Sequence, residues 1–126
     1  MREILFRGKT VFGEWIEGVP MFFTDEYAQI CRPMQHGRSI IPETVGQYTG
    51  VTDKNGTKIF EGDIVLLHIN DQYYRSLICY SGQSCRFTVK TKLCGYWRHY
   101  PLNDRQQLNV IGNIHDNPDL LKGGAE

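Results

Sequence analysis

Gln47-Tyr48-Thr49-Gly50-Val51-Thr52-Asp53-Lys54-Asn55-Gly56-Thr57-Lys58-Ile59-Phe60-Glu61-Gly62-Asp63-Ile64-Val65-Leu66-Leu67-His68-Ile69 decides the fold class of this chain. Two short apolar runs flank Asp53-Lys54-Asn55-Gly56, where Asn and Gly supply the positive φ values of a tight hairpin turn. Glu61-Gly62-Asp63 turns the chain again. The run from Ile64 to Ile69 is almost continuously apolar and too short for a helix, so it reads as a strand buried on both faces or central to a small barrel.

Working outward, the same grammar holds. Short apolar and β-branched runs are punctuated by Gly, Asn, Asp and Pro about every ten residues, the spacing of a barrel or sandwich. Residues 4–11 and 13–23 alternate apolar with polar around glycines and read as paired strands, and residues 27–31 as a third. Pro33, His36 and Gly37 mark residues 32–38 as a loop. Residues 73–80 form a further strand. In residues 85–91, Cys85, Phe87, Val89 and Thr91 share one face, while Arg86, Thr88, Lys90 and Lys92 share the other, so one side is core and the other wet. Residues 107–114 supply a late strand with a bulge or bend at Gly112. Asn117 and Pro118 open a helical turn, and the tail 122–126 is expected to fray.

At 126 residues the chain fits one domain, or two very small subdomains sharing a core. Its 14 basic residues balance its 14 acidic ones, so no global field draws it to nucleic acid, membrane or an acidic substrate, and any such binding needs a local patch. A hydrophobic content of 40% excludes a disordered chain. The opening Met1-Arg2-Glu3-Ile4 lacks the apolar run of a signal peptide, and no segment has the roughly 18 apolar residues of a membrane helix, so the cytoplasm is the expected compartment. Cys31, Cys79, Cys85 and Cys94 are then expected as reduced thiols, and Cys79 and Cys85 as small buried hydrophobes flanking a hairpin.

Several stretches resemble the YopX family of phage and prophage proteins: Gln47-Tyr48-Thr49-Gly50, Asp53-Lys54-Asn55-Gly56, residues 59–65, and the C-terminal Val110-Ile111-Gly112-Asn113-Ile114-His115-Asp116-Asn117-Pro118-Asp119-Leu120-Leu121. Residues 4–8 and 15–18 also look like that family's opening. The resemblance implies a compact, mainly β protein encoded in phage-derived DNA, and it carries no functional residues over. Glu-Gly-Asp before an apolar strand also looks like the opening of SH3-like barrels, an analogy of fold only. The expected fold is mainly β: an N-terminal β-hairpin region (about residues 1–46) packed on a small SH3-like barrel (47–121) that begins near Asp63 and closes around residues 110–114.

Catalysis by acid and base needs groups converging at hydrogen-bond reach. Glu61, Asp63 and His68 are the candidates for a small nuclease, but Gly62 makes Glu61 and Asp63 read as solvated turn carboxylates and His68 as a core or edge histidine. His36, His68, His99 and His115 and the cysteines lack the paired spacing of a metal site, and no Gly-rich phosphate loop is present. No cofactor is expected. The positive signal is for binding. Arg86, Lys90 and Lys92 project from one strand face, and Tyr96-Trp97-Arg98-His99-Tyr100 adds cations and aromatic planes, a combination suited to nucleic acid and equally to a subunit contact. The expected function is that of a non-enzymatic, self-associating accessory protein acting on a phage or host partner, with a nucleic-acid-binding module as the alternative.

Overall fold

A computed structural model describes residues 3–32, 34–103 and 107–121. Pro33 and the tail 122–126 fall outside these. The strands are β1 (Phe6–Lys9), β2 (Trp15–Phe22), β3 (Ala28–Cys31), β4 (Arg38–Thr52), β5 (Lys58–Phe60), β6 (Asp63–Ile69), β7 (Gln72–Ser81), β8 (Arg86–Leu93), β9 (Tyr96–Pro101) and β10 (Asn109–Asn113), followed by a 3-10 turn at Pro118–Leu121. Among the described residues, the pairings of β1 with β2 and β4, of β3 with β2 and β4, and of β10, β6, β7, β8 and β9 in turn are antiparallel. No helix among the described residues is long and apolar enough to cross a membrane. The chain divides between Tyr48 and Thr49 into two compact units.

The first unit is a hydrogen-bonded ring. Two long strands are each shared by two short ones: β2 pairs with β1 up to Gly18 and with β3 from Val19, while β4 pairs with β3 through Arg38, Ser39 and Ile40 and with β1 from Ile41. Gly18 sits at the handover, where a Cβ would lie 2.5 Å from the Cys31 carbonyl oxygen. A register shift in the β1–β4 pairing is held by Thr44, whose hydroxyl donates to the Ile41 carbonyl at 2.6 Å and accepts from the Lys9 amide at 2.9 Å. Ala28, Ile30 and Ile40 form its core, with Ile16 and Val45 against them.

In the second unit the sheet order is β10-β6-β7-β8-β9. A four-strand meander thus receives its last strand beside its first, the order of an SH3-like sheet. It begins at Asp63 and ends around residues 110–113, as the sequence suggested, with the register shift of β10 falling between Val110 and Gly112. Ile59, Val65, Leu67, Ile78, Val89 and Leu108 form the core. Strand β6 lies inside the sheet between β10 and β7, and its Ile64 and Val65 are wholly buried.

Asp53 fixes the β4–β5 turn and ties it to β10. Its Oδ1 accepts from the Asn55 and Thr57 amides at 2.8 and 2.9 Å, and its Oδ2 accepts from the Val110 amide at 3.1 Å. Of the two residues expected to supply positive φ there, only Gly56 does, at 84°. The two-residue turns lie elsewhere. Asn70 and Asp71 (φ 51° and 65°) link β6 to β7, and Cys94 and Gly95 (φ 52° and 82°) link β8 to β9. Left-handed values at both central positions match the right-handed twist of hairpin strands.

Candidate nucleic-acid interface

Register decides which side chains of β6–β9 meet. Residues directly opposite share a face, and the pairs Leu77↔Lys90, Cys79↔Thr88, Lys90↔His99 and Lys92↔Trp97 put Arg86, Lys90, Lys92, Trp97 and His99 together. This is the face opposite Val65, Ile78 and Val89, the core side. The Lys90 and Lys92 ammonium groups lie 5.1 and 6.0 Å from the Trp97 ring centroid. A cation over an indole face at this range is attracted by the ring quadrupole. Trp97 remains 47% exposed. Further along the face, the exposed His68 ring stacks on Tyr73 at 4.6 Å, and Arg75 reaches the Leu120 carbonyl at 3.4 Å. None of the residues that the register places on this face of the four strands is Asp or Glu.

The basic and aromatic stretch is therefore split. Trp97 and His99 join the lysines, whereas Tyr96, Arg98 and Tyr100 point to the core side, where Tyr100 packs against the apolar cluster and Tyr96 stays 72% exposed at the strand's start. Residues 96–100 do not form one surface because they form a strand, whose successive side chains alternate. Missing from the sequence reading were Arg75 and Tyr73. The alternation of β7, counted from the Asn70-Asp71 turn, carries the signal for both.

Within the face sits a polar cluster. Thr88, expected on the wet side, is 2% exposed. Its Oγ1 lies 2.9 Å from His99 Nδ1 and 3.5 Å from Cys79 Sγ, and Cys79 Sγ is 4.0 Å from the same nitrogen. Cys79 is half-buried, and Cys85, which occupies a left-handed turn position at φ 54°, is exposed rather than buried.

The carboxylates read as nuclease candidates do not converge with His68. Asp63 is not solvated: it is 2% exposed, and its Oδ2 accepts from the Phe60 amide at 2.8 Å across the Gly62 turn. Asp63 and His68 fall on opposite faces of β6, five positions apart, and His68 is exposed rather than in the core. Glu61 is half-buried. Among the described residues no group of three or more His, Cys, Asp and Glu side chains is placed to hold a metal ion.

A family model described as "YopX protein" matches residues 20–122. The chain belongs to the YopX family. A crystal structure of the protein EF1440 from Enterococcus faecalis is similar over 97% of this chain and 100% of that one, at 25% identity and a TM-score of 0.57. No curated protein matches. The YopX assignment agrees with the resemblance carried by the Asp53 turn and the C-terminal motif, and both now have structural work in view. Asp53 bridges β5's turn to β10, and Asn113 organises the segment before the 3-10 turn by accepting from the His115 and Asp116 amides at 3.0 and 2.9 Å. The stretches that carry the resemblance thus serve largely as turn locks in this chain, and the β8–β9 face lies outside those stretches though within the matched residues.

Proposed function

We propose that this YopX chain is a phage- or prophage-derived cytoplasmic accessory protein that acts by binding rather than catalysis, and that it holds single-stranded nucleic acid on the outer face of β7–β9. The observation carrying this is the placement of Lys90 and Lys92 against the half-exposed Trp97 ring, with Arg86 on the same face and no acidic residue among its strand positions. Cations contact phosphates while an aromatic plane stacks on a base, and this pairing tolerates any sequence. A duplex offers its bases no such access, so single strands are favoured.

The test is fluorescence anisotropy with labelled single-stranded and duplex oligonucleotides over a salt series. Three phosphate contacts, from Arg86, Lys90 and Lys92, give a salt slope of about −2, or roughly 20-fold weaker binding between 50 and 200 mM salt. Trp97→Ala removes one stacking platform and costs about 1–3 kcal/mol, roughly 5- to 150-fold in affinity. Binding that ignores salt, or that survives Lys90→Glu with Lys92→Glu intact, overturns the proposal.

A second component is supported by the β2–β3 segment, where Val19, Met21, Phe22 and Phe23 are each more than half exposed. Phe22 and Phe23 also line a shallow cavity of about 520 Å³ with Pro42 and Glu43. Exposed apolar surface of this kind marks contacts with other protein, and here it supports self-association or a phage or host protein partner. Light scattering of the wild type and of Phe22→Ser/Phe23→Ser distinguishes an oligomer built on this surface from a monomer.

A further inference from the structure

We propose that Cys79 is a modification site, a thiol activated through Thr88 by His99 that exchanges with anionic low-molecular-weight disulfides. The assignment stands on the Cys79–Thr88–His99 geometry and does not depend on nucleic-acid binding. A hydroxyl can donate one hydrogen bond while accepting another. With the Thr88 hydroxyl donating to His99 Nδ1 at 2.9 Å, its oxygen accepts the Cys79 thiol hydrogen at 3.5 Å, which makes a continuous relay from sulfur to imidazole. Cys79 Sγ also stands 4.0 Å from Nδ1 itself. Thr88 is buried and sits between β7 and β9, so the relay is pre-arranged, while Cys79 is half-buried and His99 exposed. Nucleophile, hydroxyl and base each come from a different strand, β7, β8 and β9, which only the meander's register brings together.

In the reaction the thiol proton passes to Thr88 Oγ1 as the hydroxyl proton passes to His99 Nδ1. The sulfur electron pair attacks one sulfur of the disulfide, a Cys79–S bond forms, the small molecule's S–S bond breaks, and its thiolate leaves, taking the proton from the imidazolium. The product is a mixed disulfide on Cys79 and one free small thiol. The disulfide is the only oxidant required. Arg86 and Lys90 flank the cluster on the same face, so a disulfide bearing carboxylates is favoured over a cationic one.

The experiment uses the full chain with Cys31, Cys85 and Cys94 replaced by Ser. Modification of Cys79 by oxidised glutathione and by cystamine is followed by mass spectrometry. At neutral pH, His99→Gln and Thr88→Val each slow the glutathione reaction about tenfold or more, below the usual contribution of a positioned base, while Thr88→Ser retains the parent rate. The difference vanishes at high pH, where no base is needed. Glutathione disulfide outpaces cystamine at low salt, and the preference falls as salt rises. Equal rates for the parent and His99→Gln at neutral pH overturn the proposal. His99 is exposed, so this variant decides the matter even if Thr88→Val fails to fold.

Discussion

Replacing Asp53 removes a single carboxylate and unfastens three backbone amides. Asn55, Thr57 and Val110 donate to it at 2.8, 2.9 and 3.1 Å, and the group is only 7% exposed. Hydrogen bonds to a charged acceptor contribute about 1.5–3 kcal/mol each. Asn55 and Thr57 are exposed, so water replaces the acceptor for their amides at little cost, and the expected loss for Asp53→Ala is about 2–4 kcal/mol, below the simple sum. For a unit of this size, that lowers the melting temperature by on the order of 10–25 °C.

Acid titration supplies the sharper form of the test. Burial alone would raise the Asp53 pKa, but the amides of Val110, Thr57 and Asn55 and the charge of Lys54 together outweigh it and hold the carboxyl below its ordinary value. A carboxyl depressed in the folded state contributes stability above its unfolded pKa of about 3.9 and loses that contribution as pH falls through the folded value. The gap between wild type and Asp53→Asn in thermal melts should therefore be constant from neutral pH down to about 5, then narrow on further acidification. A gap below about 2 °C at neutral pH, or one unchanged to the lowest pH at which both proteins fold, would refute the reasoning.

Two other substitutions test the packing. Gly18→Ala places a Cβ 2.5 Å from the Cys31 carbonyl oxygen and 2.7 Å from Ile30 Cγ2, so backbone must move at the point where β2 changes partner; urea unfolding should show a loss of about 1–3 kcal/mol. The Thr91 hydroxyl is wholly buried and finds no hydrogen-bond partner among the described residues, so the near-isosteric Thr91→Val should raise stability by about 1 kcal/mol, read as a higher urea midpoint with unchanged slope.

What was legible in the sequence was local. The Asp53–Gly56 turn, the apolar run of β6 and the alternation from Phe87 to Lys92 each depend on neighbours in the chain, and each is present in the fold. The ring of β1–β4 was not legible, because the pairing of Phe6 with Gln47 is set by tertiary packing that no local pattern encodes. The candidate face was half legible. Its lysines follow from a period of two, but Cys94 is an unusual residue for a left-handed turn position, and without that turn residues 96–100 read as a cluster instead of a strand. Asp63 misled for a related reason: a carboxylate next to Gly62 looks solvated until the buried Phe60 amide it receives is seen.

The two-sided construction of β8 makes the fold and the proposed binding separable by mutation. Val89 and Thr91 are fully buried on one side, and Lys90 and Lys92 stand on the other with Trp97. Reversing the lysine charges should leave the melting temperature within a few degrees of wild type, since half-exposed cation–π contacts contribute only about 0.5–1 kcal/mol. Asp53→Ala, which touches no residue of that face, should lower stability without changing the affinity of the protein that remains folded. A binding loss that tracked stability across both variants would mean that the face has no role of its own. Loss confined to the lysine variants would assign binding to the β8–β9 surface, independently of the Asp53 turn lock.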